Sequence, residues 1–163
     1  MYYLSIVCAR ESIDIANPYF VPDPVAIETL IDAKRRGVDV RIMVSGIRND
    51  NWLARHNSVR LFGRLLEAGV EIQEFNRTML HHKTMVVDGR WITVGTTNFD
   101  NRSFAHNDES NVNAFDRHLA SQLHASFTDD LGGCERLTLE RWQRRGAWAR
   151  LQEFVASFLQ EQA

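Results

Sequence analysis

Between His81 and Asn98 an imidazole, an ammonium, a hydroxyl and a carboxamide recur at short intervals, in the pattern HxKxxxxDxxxxxxGTxN. These groups suit displacement at the phosphorus of a phosphodiester. Negative charge builds there on the non-bridging oxygens and has to be met by cationic or polar donors. His81 offers a nitrogen nucleophile or a proton shuttle, Lys83 a positive charge, and Thr96 and Asn98 short polar side chains for phosphate oxygens. Residues i and i+2 of a strand share a face, so the alternation His81, Lys83, Met85, Val87 predicts a strand that sends imidazole and ammonium to one side. Asp88-Gly89 between two apolar runs predicts a tight hairpin turn. The return strand, Trp91 to Gly95, then carries Thr96 and Asn98 back to the His81 and Lys83 end. Asp88 is left as a turn residue far from the chemistry, and Gly95 as a structural member of the motif.

An imidazole that attacks phosphorus or moves a proton must be held in one tautomer, usually by a carboxylate on its other nitrogen. Asp100, Asp108 and Glu109 follow the motif and are the candidates. His56, His106, His118 and His124 have no comparable spacing and read as surface or packing residues. His56 sits in a polar loop with Arg48, Asn49, Asp50, Asn51, Arg55 and Asn57, and a secondary reading makes that loop part of the substrate rim.

The segment His81 to Asn98 resembles the signature of the phospholipase D superfamily, HxKxxxxDxxxxxxGSxN, with Thr96 in place of the usual serine and a hydroxyl retained. The resemblance continues through Asn98, Asp100, Arg102, Ser103, Asn107 and Glu109, and it implies that Glu109 is the acid that orients His81. Three further phrases, Asn17-Pro18-Tyr19-Phe20-Val21-Pro22-Asp23, Ala33 to Val40 and Leu65 to Val70, are similar to the carboxy-terminal half of bacterial cardiolipin synthases. That likeness implies a catalytic set of His81, Lys83, Asn98 and Glu109, with Thr96 and Tyr19 at the substrate. Tyr19 and Phe20 would line an acyl or glycerol pocket, at least one of them packing in the core instead.

The family's reaction asks for two imidazoles, one to form a phosphohistidine and one to protonate the leaving alkoxide and deprotonate the acceptor. This chain carries one motif. The resemblance therefore implies a homodimer presenting His81 from each side, as in small single-motif nucleases of the superfamily, or a partner half carrying a second motif. With a partner half His81 takes the acid-base role; in a homodimer either copy can be the nucleophile. The expected activity is phosphatidyl transfer or phospholipid phosphodiester hydrolysis on an anionic lipid, phosphatidylglycerol, with a homodimeric phosphodiesterase or nuclease and a catalytically silent half-domain as alternatives.

At 163 residues and 44% hydrophobic composition the chain suits a single phospholipase D-like domain over residues 1–163, with enough apolar surface for a core. A net charge of −2 and a pI near 6.3 count against a strongly nucleic-acid-binding surface, because affinity for a polyanion comes mainly from Lys and Arg at phosphates. The one basic cluster is Lys34, Arg35, Arg36, Arg41 and Arg48. Cys8 and Cys134 lack metal-type spacing and read as reduced thiols. Neither a metal nor another cofactor is implied. With no apolar run of membrane-spanning length, the expected location is cytoplasmic or peripheral at the cytoplasmic membrane.

The elements that position the motif read as α/β. Residues 1 to 11 are expected to be helical, and Ile13 and Ile15 form a short strand ending at Asn17-Pro18. Asp23 caps a helix with Pro24 at its first position and Gly37 beyond its end. Val38 to Val44 alternate as a strand, a helix covers about 58 to 68, and Val70 to Phe75 form another strand. After the hairpin come a strand over 109 to 115, a helix over 117 to 131 and two more helical stretches. Together they predict a mixed, mainly parallel β-sheet flanked by helices on both faces. In the last helix Trp148, Leu151, Phe154, Val155, Phe158 and Leu159 share one face, expected to pack on the core or on a second chain in preference to a membrane.

Overall fold

The computed structural model describes residues 1–48 and 52–161, with side-chain surroundings described for all of these except 52, 53, 105 and 157–161. The chain runs α1 (Tyr2–Cys8), β1 (Ser12–Ala16), β2 (Phe20–Val21), α2 (Pro24–Arg35), β3 (Asp39–Ser45), α3 (Trp52–Glu67), β4 (Glu71–Phe75), β5 (Thr84–Val87), β6 (Trp91–Gly95), β7 (Phe99–Asp100), α4 (Asn101–Ala105), β8 (Asn111–Phe115), α5 (Arg117–Leu131), β9 (Cys134–Leu137), α6 (Leu139–Gln143) and α7 (Ala147–Glu161). One sheet holds seven strands in the order β8-β6-β5-β1-β3-β4-β9, and β2 pairs with β7 in a small parallel ribbon.

Local chemistry accounts for the boundaries. Asp23 caps α2 by accepting from the Ala26 amide, and Pro24 occupies the first turn, where no amide donor is needed. Gly37, with φ +91, releases the chain into β3 in a conformation that side chains disfavour. Ile13, Ile15, Val40, Ile42, Val44 and Ile72 are buried in the central strands, and Leu30, Ile31, Phe62 and Leu65 cover them from α2 and α3. On the opposite face Phe127 of α5 packs with Met43, Phe75 and Leu80.

Three expectations are corrected and one strand is added. The sheet is mixed, but its parallel part is the smaller: β1 with β3 and β3 with β4 are parallel, whereas the other four pairings are antiparallel. Helix α3 begins at Trp52, so Arg55, His56 and Asn57 are helical and not part of a loop; Asn49, Asp50 and Asn51 lie outside the described residues. The edge strand β9, between the helix over 117 to 131 and the two helical stretches that follow, was not foreseen. Its pattern Cys-Glu-Arg-Leu has one inward residue, Leu137, too short a signal for a periodicity argument. Finally, the apolar stripe of α7 does not face the core: Trp148, Leu151, Phe154 and Val155 are exposed, while Glu153 and Ala156 are buried. The side chains of Phe158 and Leu159 lie outside the described residues. Among the described residues no helix is long and apolar enough to cross a membrane.

Candidate active site

The β5-β6 hairpin forms as the sequence predicts. Val87 pairs with Trp91, and Asp88 and Gly89 make the turn with φ of 52° and 57°. The strand itself begins only at Thr84, so His81 and Lys83 occupy the irregular segment leading into it, not successive positions on one strand face. Imidazole and ammonium accordingly part company: His81 is exposed, whereas Lys83 is buried and turns its ammonium back to donate to the His81 carbonyl at 2.8 Å. The amide of Gly95 donates to the Lys83 carbonyl at 3.2 Å, which brings the two ends of the motif side by side.

Asp88 does more than turn the hairpin. Its carboxylate accepts from the amides of Glu11 at 2.8 Å and Ser12 at 3.0 Å, and from that of Arg10, so it clamps the chain entering β1. It sits at the far end of β5 from His81, with the four residues of that strand, about 13 Å of rise, between them.

At the His81 end several segments converge. β1 ends at Ala16 opposite Thr84, and the next residue, Asn17, is buried and donates from Nδ2 to the Thr97 carbonyl at 3.3 Å. The register Phe20 to Phe99 sets Tyr19 beside Asn98; the Phe20 and Phe99 rings pack at 4.8 Å, so Phe20 is the core member of that pair and Tyr19 remains half-buried. Asn98 keeps a buried Oδ1 with no hydrogen-bond partner among the described residues, an acceptor left unsatisfied. Gly95 is obligatory on steric grounds: a Cβ there would lie 2.0 Å from Asn111 Oδ1 and 2.2 Å from the Ser110 carbonyl.

Glu109 belongs to this cluster by a different set of contacts from the one implied by resemblance. Its carboxylate accepts from the Thr96 hydroxyl, from the Ser103 hydroxyl at 3.0 Å and from the Asn107 amide at 3.4 Å. The Thr96 hydrogen bond leads the causes that hold its pKa below the usual carboxylate value, with the Lys83 charge a lesser contributor. Among the described residues nothing hydrogen-bonds the His81 ring. The neighbouring His82 has its pKa lowered, first by desolvation, with Asp130 opposing and Lys83 adding to the effect.

Sequence reasoning missed the polar supports. Asn111 accepts from the Thr97 hydroxyl at 2.8 Å and donates to Thr93 and Tyr2, tying the residues after β6 to β8 and α1. Asp100 caps α4 by accepting from the Ser103 amide at 2.7 Å, which fixes the turn that presents the Ser103 hydroxyl to Glu109. Asp14 is buried between Arg41 and His124, each 2.7 Å away, so His124 is a satisfied structural partner. The spacing of Ser103, Asn107 and Glu109 was visible as a motif; the role of Asn111 depends on β8 lying beside β6, which no local pattern encodes. Four of the five members of the basic cluster are engaged away from the motif end: Lys34 pairs with Asp39, Arg35 with Asp32, Arg41 with Asp14, and Arg36 donates to carbonyls of α1 and the residue after it, whereas Arg48, three residues beyond β3, is exposed.

Comparison with known proteins finds both sequence relatives and structural neighbours. A cardiolipin synthase of Staphylococcus aureus is 35% identical over 158 residues, 97% of this chain and 32% of that protein. A probable cardiolipin synthase of Bacillus subtilis is 38% identical over 156 residues, 96% of this chain and 31% of that one. The chain thus spans about a third of the length of these relatives. Among solved structures, the phospholipase D family member Nuc from Salmonella typhimurium superposes with a TM-score of 0.75 at 22% identity, over 83% of this chain and 88% of Nuc. Phosphatidylserine synthase from Haemophilus influenzae gives 0.75 at 16% identity, over 98% of this chain and 41% of the enzyme. Both share the fold of mixed sheet and flanking helices. The model for the family described as cardiolipin synthase, PLD-like domain, matches residues 5–131, and the chain belongs to that family.

Proposed function

We propose that the chain supplies one half of a phosphatidyltransferase site of the cardiolipin synthase type, acting on phosphatidylglycerol through a phosphohistidine. The observation that carries this reading is the convergence of His81, Lys83, Gly95, Thr96, Asn98 and Glu109 at one end of the sheet, in a chain at least 35% identical to cardiolipin synthases. One imidazole attacks phosphorus and the bond from phosphorus to glycerol breaks. The other protonates the leaving alkoxide, then takes the proton from an incoming hydroxyl, which displaces the histidine. With a partner half the acid-base work falls to His81; in a homodimer the two copies share the roles. Lys83 and Asn98 face the phosphate oxygens, and Glu109 acts through the Thr96 hydroxyl. The second imidazole comes from a second copy or from a partner half.

The test is turnover of phosphatidylglycerol to cardiolipin and glycerol, measured together with molar mass in solution. His81→Ala should abolish turnover with an unchanged melting temperature, because the side chain is exposed and buries nothing. Lys83→Met should cost nearly as much and also lower the melting temperature, because Lys83 is buried on a hydrogen bond. Rates like the unmodified protein's in folded His81→Ala material would reject the reading. Cleavage of single-stranded DNA in place of lipid would assign the site to the nuclease branch of the superfamily.

A further inference from the structure

The residues from Thr96 to Asn98 lie between β6 and β7 and belong to neither, so no strand ladder holds them. Backbone groups buried in such a connector need partners from elsewhere in the chain. Thr96 has its own: its amide donates to the Ser110 carbonyl at 3.0 Å, and its hydroxyl accepts from the Ser110 amide at 3.0 Å. Asn98 differs. Its Oδ1 is buried without a partner among the described residues, so no contact of that oxygen sets the carboxamide, and its placement falls to the backbone on either side. Thr97, 7% exposed, governs that backbone. Its hydroxyl donates to Asn111 Oδ1 at 2.8 Å and its amide to the same oxygen at 3.3 Å, while its carbonyl accepts from Asn17 Nδ2 at 3.3 Å. The three polar groups of one residue are thus held by two carboxamides, one 80 residues before it and one 14 residues after it.

Both carboxamides are fixed from behind. Asn17 is buried; its backbone amide donates to the Met43 carbonyl of β3 at 3.0 Å, and its Oδ1 accepts from the Tyr19 amide at 3.3 Å. Asn111 donates from Nδ2 to the Tyr2 hydroxyl at 3.0 Å and to the Thr93 hydroxyl at 3.1 Å, so both its donors and its acceptor are committed. A side chain bonded at every polar atom cannot turn without breaking several hydrogen bonds at once. Tyr2 is itself wedged against the rings of Phe99 and Phe104, each with centroids 5.4 Å from its own. Any residue at position 97 would present the amide and the carbonyl. The hydroxyl is what this side chain adds, and it makes the shortest of the three contacts.

We propose that Thr97 is a positioning residue: clamped between Asn17 after β1 and Asn111 of β8, it sets the backbone from which Asn98 reaches the phosphate oxygens. This rests on the phosphodiester reading of the site, in which Asn98 meets charge that builds in the transition state. The test compares Thr97→Val, which keeps the shape and removes the hydroxyl donor, with Thr97→Ser, which keeps the donor. Phosphatidylglycerol turnover is followed well below each melting temperature. A misplaced donor loses most where charge is greatest, so in Thr97→Val kcat should fall about tenfold with KM held within about twofold. Thr97→Ser should stay within about twofold of the unmodified protein on both constants. A residue that only holds the fold would lower the melting temperature and leave kcat unchanged, and that result overturns the proposal. Should Thr97→Val not fold, Tyr2→Phe withdraws the hydroxyl behind Asn111 with both ring contacts kept; an unchanged kcat there overturns it as well. Failure of the catalytic reading looks different, since the unmodified chain itself would then leave phosphatidylglycerol intact. Positioning is in that case read from the nuclear magnetic resonance signal of the Asn98 side-chain amide, which should move in Thr97→Val and hold in Thr97→Ser. One and the same signal in both variants sinks the proposal whatever the turnover.

Discussion

Two carboxylates of the motif region, Glu109 and Asp88, show how position divides one chemical type into two jobs. Glu109 gathers the hydroxyls of Thr96 and Ser103 and the Asn107 amide at the proposed catalytic end. Asp88 gathers the backbone amides of Arg10, Glu11 and Ser12 at the far end. Glu109→Gln keeps one acceptor and the side-chain size, so its expected effect is lower turnover with a small change in melting temperature. Asp88→Asn weakens three amide bonds to an ionised acceptor and should cost stability, about 1 to 3 kcal/mol, with turnover of the folded protein nearly intact. Because the Glu109 pKa is depressed in the folded chain, its contribution to stability is present above the unfolded carboxylate value, about 4.3, and is lost as pH falls through the lower folded value. Urea titrations of the unmodified protein and Glu109→Gln should therefore differ at neutral pH and converge in acid; a gap that widens in acid would contradict the assigned shift.

At the scale of elements, what was legible in the sequence was what local chemistry dictates. The cap at Asp23, the exit at Gly37 and the Asp88-Gly89 turn each depend on a few neighbouring residues, and each formed as expected. The start of β5 did not. Lys83 left strand geometry because its ammonium reaches the His81 carbonyl and its own carbonyl takes the Gly95 amide, long-range demands that a period-two pattern does not contain. Helix α7 failed differently. Its period was read correctly and its stripe exists, but amphipathicity fixes only which residues share a face, and the Arg145 to Glu153 pair with Asn57 decided which face turned inward. Gly95 connects the two kinds of evidence, since the motif names it and the packing of β8 against β6 explains it. Gly95→Ala would place a methyl against Asn111 and Ser110. Expected are a loss of about 1 to 3 kcal/mol and reduced turnover through displacement of Thr96. Full activity in that variant, measured alongside its melting curve, would mean that the β6 to β8 contact does not hold the site.

For the molecule as a whole the question is how one motif yields two imidazoles. In the proposed function the charge-stabilising groups are Lys83 and His81 and not a set of carboxylates, so turnover is expected to be unchanged by EDTA; loss on chelation with recovery on added magnesium would reject the proposed roles. The composite nature of the site has a sharper test in mixing. If two copies pair about a twofold axis and each contributes His81, a dimer holding one inactive chain lacks either its nucleophile or its general acid and base. Adding an equal amount of His81→Ala protein to the unmodified chain, with time for subunits to exchange, should then cut the observed rate to roughly half, because random pairing leaves only a quarter of a doubled pool of dimers intact. A chain that worked alone would keep its full rate under the same addition. A chain that draws its second imidazole from a different polypeptide would be inactive by itself and insensitive to its own variant. It would gain activity only when that polypeptide is supplied, and the variant would then compete for it. The three outcomes differ in the rate before mixing as well as after, so one titration of variant into unmodified protein, followed by cardiolipin formation, separates a self-sufficient pair from half of a larger site.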